Sequence, residues 1–226
     1  MNIILFDMDK TLVDVDTVDL WIKFLFKNGL IAPADLKLTK KFNEDYDAGI
    51  LDVDASYQFI VRIVKDLAKS AADLDKLIEL RQDFFDECII ENISIKGMKL
   101  VQEYRSDPNN IVVLITATID FIALPIFNFL DLDHLIATDT NIHDTDNLEP
   151  LIYGIPSIGV GKLEKYHQWK THHQLNVKHS KLYSDSINDL PLLSHVDVAI
   201  AVDPDPMLHK IATYNQWEII SLRNGS

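Results

Sequence analysis

Residues 2–11 read NIILFDMDKT, and this stretch decides the class of fold. Its first half is an apolar run, typical of a strand buried in a parallel sheet, and the run stops abruptly at Asp7. Similar runs occur at 111–115 (IVVLI) and 198–202 (VAIAV), and further strand-like segments at 135–138, 181–184 and 217–222. Helical patterns separate these segments. We therefore predict an α/β fold with an open, mostly parallel Rossmann-like sheet and helices on both faces.

A long helical stretch separates the first strand from the second. It contains four amphipathic patterns, at residues 16–30, 33–46, 55–67 and 71–90, with no convincing strand between them. We predict an all-helical cap domain over residues 15–93, inserted into an α/β core made of residues 1–14 and 94–226. Residues 140–159 mix Asn, Asp, Pro and Gly and are predicted to form a loop or an irregular hairpin.

The composition excludes several classes of partner. The chain has 226 residues and a formal net charge of -14, which would repel nucleic acid and anionic membrane surfaces. Its single cysteine, Cys88, cannot form an intrachain disulfide, which fits a reducing compartment. We find neither a signal-peptide pattern nor an apolar run of the roughly 20 residues that cross a bilayer. The sequence therefore predicts a cytoplasmic protein with no nucleic-acid or membrane partner and gives no oligomeric state.

Polar side chains follow three of the predicted strands. Asp7 and Asp9 come after the first strand, Thr116 after the second, and Asp185 and Asp189 after a later one. Each group alone could simply cap a helix or form a turn. Because ligands bind beyond the carboxyl ends of strands in such sheets, the three groups together predict a shared site.

The four carboxylates of this cluster would repel one another without a cation. Oxygen ligands without His or Cys favour Mg²⁺, which typically binds a few carboxylates together with a substrate phosphate. This arrangement can neutralise a phosphoryl group during transfer. The eight histidines are scattered along the sequence, and we assign none of them to a metal.

Four motifs occur in the order DMDKT (7–11), ITAT (115–118), GKLEKY (161–166) and YSDSINDLPLL (183–193). Together they resemble the haloacid dehalogenase superfamily, and the Asp-x-Asp-x-Thr form resembles its phosphatase branch. The helical insert is similar to the cap of the phosphoserine-phosphatase-like subgroup. The resemblance spans the whole predicted core and implies a phosphatase.

The resemblance also implies a role for each motif residue. Asp7 would be the nucleophile that forms an aspartyl phosphate. Asp9 would act as general acid and then as general base, and its main-chain carbonyl would bind the metal. The Thr116 hydroxyl and the Ala117 amide would hold phosphate oxygens. Lys162 would neutralise Asp7 and the phosphoryl group.

The remaining motif residues are expected to serve the metal and the loops. The predicted metal set is Asp7, Asp9, Asp185 and Asp189, with Asp185 as a direct ligand and Asp189 acting through water or through other ligands. Thr11 is expected to tie down the first loop, and Asn188 to orient the last one.

The predicted substrate is a small phosphorylated metabolite that fits under the cap, such as a phosphoserine-like amino-acid phosphate or an amino-alcohol phosphate. In phosphoserine phosphatases a glutamate at the start of the cap meets the substrate amine, and Asp16 takes this place here. Arg62 is a candidate for holding a substrate carboxylate.

Two alternatives share parts of this pattern. One is a phosphotransferase or mutase that passes the phosphoryl group to another hydroxyl through the same intermediate. The other is a non-catalytic phospho-acceptor or binding relative. Receiver domains of that second kind are much shorter, lack a cap and do not have a second aspartate two residues after the first.

Overall fold

The structure is a computed structural model that describes residues 1–71, 74–142 and 152–224. Its described residues form one six-stranded sheet with the strand order β3-β2-β1-β4-β5-β6, and every neighbouring pair is parallel. The predicted fold class is confirmed. The strands are β1 (Asn2–Phe6), β2 (Asn110–Ile119), β3 (His134–Thr138), β4 (His179–Ser184), β5 (Val198–Val202) and β6 (Glu218–Ile220).

Helices fill the connections between the strands. Four of them lie between β1 and β2 in the predicted cap, namely α1 (Thr17–Lys27), α2 (Pro33–Asp47), α3 (Val53–Ala71) and α4 (Leu74–Phe84). The helices of the core are α5 (Ile95–Arg105), α6 (Asp120–Phe129), α7 (Val160–His172), α8 (Leu190–Leu193) and α9 (Pro206–Asn215).

Alternate residues of β1 face opposite sides of the sheet. Ile3 and Leu5 lie in an apolar layer with residues of α7, α8 and α9, whereas Ile4 and Phe6 lie in a second layer. Side chains alternate along a strand, so one buried strand supplies both layers. The second layer continues into the cap, where it includes Trp21 of α1. The cap therefore packs on the same hydrophobic core as one face of the sheet.

The predicted helix at 71–90 ends earlier than expected. Residues 72–73 lie outside the described residues, α4 ends at Phe84, and a π-helical turn (Phe85–Ile89) and a 3-10 turn (Ile90–Asn92) follow. In the π turn the Ile90 amide donates to the Phe85 carbonyl, and this wider turn buries both Phe85 and Ile89. Periodicity alone does not distinguish such a turn from a regular helix.

The two ends of the insert meet at the core. Val13 and Ile93 form an antiparallel bridge, and the Asp14 amide donates to the Asn92 carbonyl at 2.7 Å. These contacts fit the predicted boundaries of the cap, which stay a prediction. Of the loop predicted at 140–159, residues 143–151 lie outside the described residues, and its flanks pair through Thr140 and Ile152.

Among the helices of the described ranges, none combines the length and the apolar character needed to span a bilayer. The cytoplasmic location stays a prediction.

Replacing Trp21 by alanine is expected to lower the free energy of unfolding by about 3–5 kcal/mol, because it empties a large buried site. Trp21 is 0% exposed and contacts the rings of Phe84 in α4 and Phe121 in α6, so it joins the cap to the core. Urea unfolding measures the change. Tyr214→Ala is the control, since Tyr214 is 88% exposed and its loss should cost less than about 0.5 kcal/mol. Equal losses in the two variants would contradict this account of the packing.

Candidate active site

The site forms where β1 and β4 lie side by side. In the observed strand order the connections leave β1 in both directions, and such a switch point opens a crevice beyond the strand ends. Asp7 follows β1 and Asp185 follows β4. The Asp7 amide donates to the Tyr183 carbonyl at 2.9 Å, which extends the pairing of the two strands by one residue. The parallel register thus brings the first and last sequence motifs together.

Lys162 lies in the first turn of α7 and is only 2% exposed. Its Nζ is 2.9 Å from Asp7 Oδ1 and 2.7 Å from the Asp189 carboxylate. Burial alone would lower the pKa of Lys162, but the two carboxylates raise it above its usual range. The lysine therefore stays charged and links the first, third and fourth motifs.

Glycine is required just before this lysine. A Cβ atom on Gly161 would lie 2.2 Å from the Pro156 carbonyl oxygen, and Gly159 has a φ of 56°. Gly161 therefore allows the start of α7 to approach the preceding loop closely, and Gly159 allows the left-handed backbone conformation just before it. This close approach sets the position of Lys162 relative to Asp7.

The pKa of Asp7 and that of Asp9 are both raised. Burial raises the pKa of Asp7 to about 6, although Lys162 opposes this. Burial, followed by the charges of Asp16 and Asp7, raises the pKa of Asp9 to about 7. The Asp9 carboxylate accepts hydrogen bonds at 2.7 Å from the Thr17 amide and from the Thr118 hydroxyl. A carboxyl group held in one orientation with a pKa near neutrality is suited to both donating and accepting a proton.

The second motif lies on an irregular part of β2. Its pairing with β3 shifts register between Ile115 and Ile119, so that residues 116–118 bulge toward the site. Thr116 is 1% exposed, and its Oγ1 accepts a hydrogen bond from the Thr118 amide at 3.1 Å. The Thr116 hydroxyl hydrogen can therefore be donated to a ligand. Thr116 and Ala117 both line the cavity described below.

Asp185 is a buried carboxylate that faces the same cavity as Asp7. Burial and the charges of Asp7 and Asp189 hold its pKa well above the usual range. Within the part of the chain that the structure describes, no side-chain hydrogen bond to this carboxylate is present. A divalent cation between Asp7 and Asp185 would relieve their repulsion, so these donors fit Mg²⁺.

The predicted set of four metal-binding carboxylates is not assembled in advance. Over residues 1–71, 74–142 and 152–224, no group of three carboxylate, imidazole or thiol side chains is placed to hold a metal ion. Asp189 is bound instead to Lys162 and, at 2.7 Å, to the Ser184 hydroxyl. This arrangement agrees with an indirect role for Asp189 and leaves Asp7 and Asp185 facing the cavity.

The two supporting residues, Thr11 and Asn188, each make a backbone hydrogen bond within their loop. The Thr11 amide donates to the Met8 carbonyl at 3.3 Å, but its buried hydroxyl has no hydrogen-bond partner among the described residues. The role of Thr11 in tying down this loop stays a prediction. Asn188 lies in a 3-10 turn (Ile187–Asp189), and its amide donates to the Ser186 hydroxyl at 3.2 Å.

The cap closes over these groups and leaves a cavity of about 150 Å³. The part contributed by α2 and α3 is largely apolar or aromatic, and includes Phe42, Asn43, Tyr46, Tyr57, Phe59 and Ile60. Asp16 lines the cavity, and its carboxylate also caps α1 by accepting from the Asp19 amide at 2.9 Å. Its contact with a substrate amine stays a prediction. Burial raises the pKa of Asp16.

The structure does not bring Arg62 to the cavity. Its guanidinium lies 2.6 Å from Asp35 and 3.4 Å from Asp66, and its side chain is 49% exposed. It belongs to the outer face of α3, where neighbouring carboxylates hold it. The expectation that Arg62 contacts a substrate carboxylate is therefore corrected. Among the described residues that line the cavity, the cationic ones are Lys10 and Lys162.

Four further residues at this site have no role predicted from the sequence. Lys10 lies within the first motif and Thr118 within the second, so both motifs pointed to their positions. The φ of 56° at Lys10 reflects a tight loop. Tyr46 and Tyr57 come from the cap, and both contact core loops of the site. No local pattern distinguishes these two tyrosines from residues that only pack in the cap.

Comparisons with known proteins agree with this geometry. The family model described as haloacid dehalogenase-like hydrolase matches residues 4–194. A histidinol-phosphatase of Neisseria meningitidis is 30% identical over 226 residues, covering 98% of this chain and 99% of that protein. A phosphoserine phosphatase of Mycobacterium tuberculosis is 32% identical over 148 residues, which are 66% of this chain but only 47% of that protein.

Solved structures give the same fold. A Bordetella pertussis protein of unknown function superposes with a TM-score of 0.85 at 30% identity, covering 98% of this chain and 99% of the other. A substrate-bound phosphoserine phosphatase superposes with a TM-score of 0.67 at 18% identity, covering 98% and 93%. The second likeness concerns the fold alone. The chain therefore belongs to the haloacid dehalogenase-like hydrolase family, and the predicted enzyme class, a phosphatase of this family, is confirmed.

Proposed function

We propose that this phosphatase hydrolyses a small phosphomonoester with the help of Mg²⁺, through a phosphoryl group carried on Asp7. One observation carries the proposal. Asp7 lines the cavity beneath the cap, paired with a buried lysine, and Thr116 and Asp9 line the same cavity. A nucleophile, a hydroxyl that can donate to an anion and a proton donor are thus available around one cavity.

The proposed reaction has two steps. Asp7 attacks phosphorus, and the bond from phosphorus to the ester oxygen breaks while Asp9 gives that oxygen a proton. Asp9, now ionised, takes a proton from a water molecule that attacks the phosphorus of the acyl phosphate. Inorganic phosphate leaves and Asp7 is regenerated. Lys162 and the Thr116 hydroxyl offset the charge on the phosphoryl oxygens in both steps.

The residues that would hold Mg²⁺ are Asp7, Asp185 and the main-chain carbonyl of Asp9, with Asp189 acting indirectly. The ion would neutralise charge on the phosphoryl oxygens. The raised pKa of Asp185 and its lack of a hydrogen-bond donor among the described residues support this assignment.

The substrate is proposed to be an amino-alcohol phosphate without a carboxylate. Asp16 offers a negative charge that suits an ammonium group, and the aromatic residues of the cap suit a ring or an alkyl chain. No arginine lines the cavity within the described residues, so a substrate carboxylate would lack its usual partner. The relative that matches over its full length is named a histidinol-phosphatase, which makes histidinol phosphate the first candidate.

Asp7→Asn is expected to reduce hydrolysis of an aryl phosphate by at least about 1000-fold, because the amide is a poor nucleophile. Removing Mg²⁺ with a chelator should abolish the activity of the parent, and adding Mg²⁺ should restore it. Asp54→Asn, which changes an exposed aspartate in α3, is the matched control and should behave as the parent.

Two results would contradict this mechanism. One is activity that survives Asp7→Asn, and the other is activity that is indifferent to the chelator. Product analysis with added alcohols tests the phosphotransferase alternative, because hydrolysis yields inorganic phosphate in stoichiometric amount whereas transfer yields a new phosphate ester.

Histidinol phosphate is expected to give a higher kcat/KM than phosphoserine. Asp16→Asn should narrow this difference by about tenfold or more, because it removes the negative charge that would repel the carboxylate of phosphoserine, a group that histidinol phosphate lacks. Steady-state kinetics with both substrates measure the change. Arg62→Gln is the control and should leave the ratio unaltered, since Arg62 lies outside the cavity. A ratio favouring phosphoserine would overturn the substrate proposal while leaving the two-step reaction intact.

The metal-free protein is expected to lose stability as the pH rises from about 4 to about 7. In the folded state the pKa of Asp7 is about 6 and that of Asp9 about 7, against 3.8 for an ordinary aspartate. Both values are raised, so the folded state binds more protons than the unfolded chain over this interval. Withdrawing those protons therefore lowers the free energy of unfolding, which urea titrations in the presence of a chelator measure.

Added Mg²⁺ should offset this loss, and its stabilising effect should be larger at neutral pH than at about pH 5, where protons compete for the same oxygens. Asp185→Asn should diminish the effect of Mg²⁺, and Asp54→Asn should not. An equal effect at both pH values, or an undiminished effect in Asp185→Asn, would argue against this metal assignment.

A further inference from the structure

One side chain of the cap reaches the backbone of the phosphate-binding loop. Tyr57 lies in the first half of α3, and its hydroxyl donates to the Ala117 carbonyl at 2.6 Å. The tyrosine is 8% exposed and lines the cavity with its ring. The Ala117 carbonyl belongs to the peptide unit that joins residues 117 and 118, in the bulge of β2. A cap helix is thus bonded directly to the loop that is proposed to hold phosphate.

Core residues complete a chain of hydrogen bonds around this contact. The Thr138 Oγ1 lies 3.0 Å from the Tyr57 hydroxyl and 2.9 Å from the Ala117 carbonyl oxygen, and its single hydrogen can be donated to either. The Ser157 amide donates to Thr138 Oγ1 at 2.9 Å. Thr138 and Ser157 are fully buried. A buried network of this kind fixes its members in one orientation when every donor is used.

The same peptide unit acts on Thr116 from its other side. The amide of residue 118 donates to Thr116 Oγ1 at 3.1 Å. This bond occupies an acceptor position of the Thr116 hydroxyl, so the hydroxyl hydrogen points away from the amide, and Thr116 lines the cavity. Rotation of the 117–118 peptide would break the bonds at both of its ends together.

We propose that Tyr57 is a positioning residue for phosphoryl transfer. By holding the Ala117 carbonyl, it fixes the 117–118 peptide, and this peptide in turn directs the Thr116 hydroxyl hydrogen toward the phosphoryl oxygens. The inference rests on the proposed function. Tyr57 belongs to the cap, so this bond forms only when α3 is seated on the core. The Thr116 hydroxyl is therefore held in one orientation when α3 is seated on the core, and less firmly when α3 is not.

Packing alone does not explain the hydroxyl of Tyr57. A phenylalanine would fill the same apolar surroundings, which include Ile60, without placing a polar atom in a buried position. Tyr46, the other cap tyrosine near the site, makes its contact elsewhere, with the Ser186 hydroxyl at 3.1 Å. Tyr57 therefore provides the bond from the cap to the second motif.

Tyr57→Phe is expected to lower kcat/KM by about tenfold, the usual consequence of losing one well-placed hydrogen bond in the transition state. The factor should be the same for an aryl phosphate and an alkyl phosphate, because the phosphoryl group is common to both. Inhibition by vanadate, which resembles the transferred group, should weaken by a similar factor. A purely structural role would lower stability and leave both kinetic readouts unchanged for the folded enzyme.

Tyr166→Phe is the matched control. It also removes a buried tyrosine hydroxyl, here bonded to Ser180 near the start of β4, at the opposite end of the sheet. Its kcat/KM and its inhibition by vanadate should equal those of the parent.

Thr138→Val is the second test. It removes the Thr138 hydroxyl, which can also donate to the Ala117 carbonyl, and leaves the cap unchanged. It should cause the same kind of defect, and the double variant should be less impaired than the product of the two single factors.

Hydrogen exchange separates this inference from the proposed function. Exchange of the residue 118 amide should be faster in Tyr57→Phe than in the parent and unchanged in Tyr166→Phe, whether or not the parent hydrolyses a given substrate. Should Tyr57→Phe fail to fold, Thr138→Val carries the same comparison. Unchanged exchange at residue 118, or kinetic constants of Tyr57→Phe equal to those of the parent, would overturn the proposal. An inactive parent would instead refute the proposed function.

Discussion

A buried ammonium group between two buried carboxylates holds this site together. Lys162 contacts Asp7 and Asp189, and all three side chains are removed from bulk water. Removing either type of charge alone would leave the other unpaired inside the protein, at a cost of several kcal/mol. The end of β1, the start of α7 and the turn after β4 must therefore keep a fixed relation to one another. Arranged in this way, they form the base of the cavity beneath the cap.

The cap and the sheet share one apolar layer, and this explains how a lid made of separate helices is held over the site. Trp21 contacts aromatic rings from both the cap and α6. Hydrogen bonds add direction to this packing, since apolar contacts alone place a helix without fixing its rotation closely. Tyr46 and Tyr57 supply these bonds at two different core loops. The groups that surround a substrate thus come from both parts of the chain.

Sequence alone predicted the sheet and the base of the site, because both depend on local patterns. Asp7 and Asp185 could be located since each follows a short apolar strand, and parallel strands end at one edge. The part of the cavity that the cap lines was harder to predict from the sequence. A cap tyrosine or a cap arginine has similar sequence surroundings whether its side chain faces the cavity or the solvent. Arg62 was assigned to the cavity but pairs with Asp35, a contact across 27 positions that no periodicity reveals. The π turn after α4 was not predicted either, because its buried residues still follow a spacing that resembles the apolar periodicity of a regular helix.

The bridge between Val13 and Ile93 brings the two ends of the helical insert together. A segment whose ends already meet can change in length at little cost in loop-closure entropy, since each doubling adds only about 0.6 kcal/mol. The hydrogen bonds from the Thr17 amide to Asp9 and from the Tyr57 hydroxyl to the Ala117 carbonyl set the limit. An insert of different length would have to supply equivalent donors to both loops to keep the groups of the site in the same orientation.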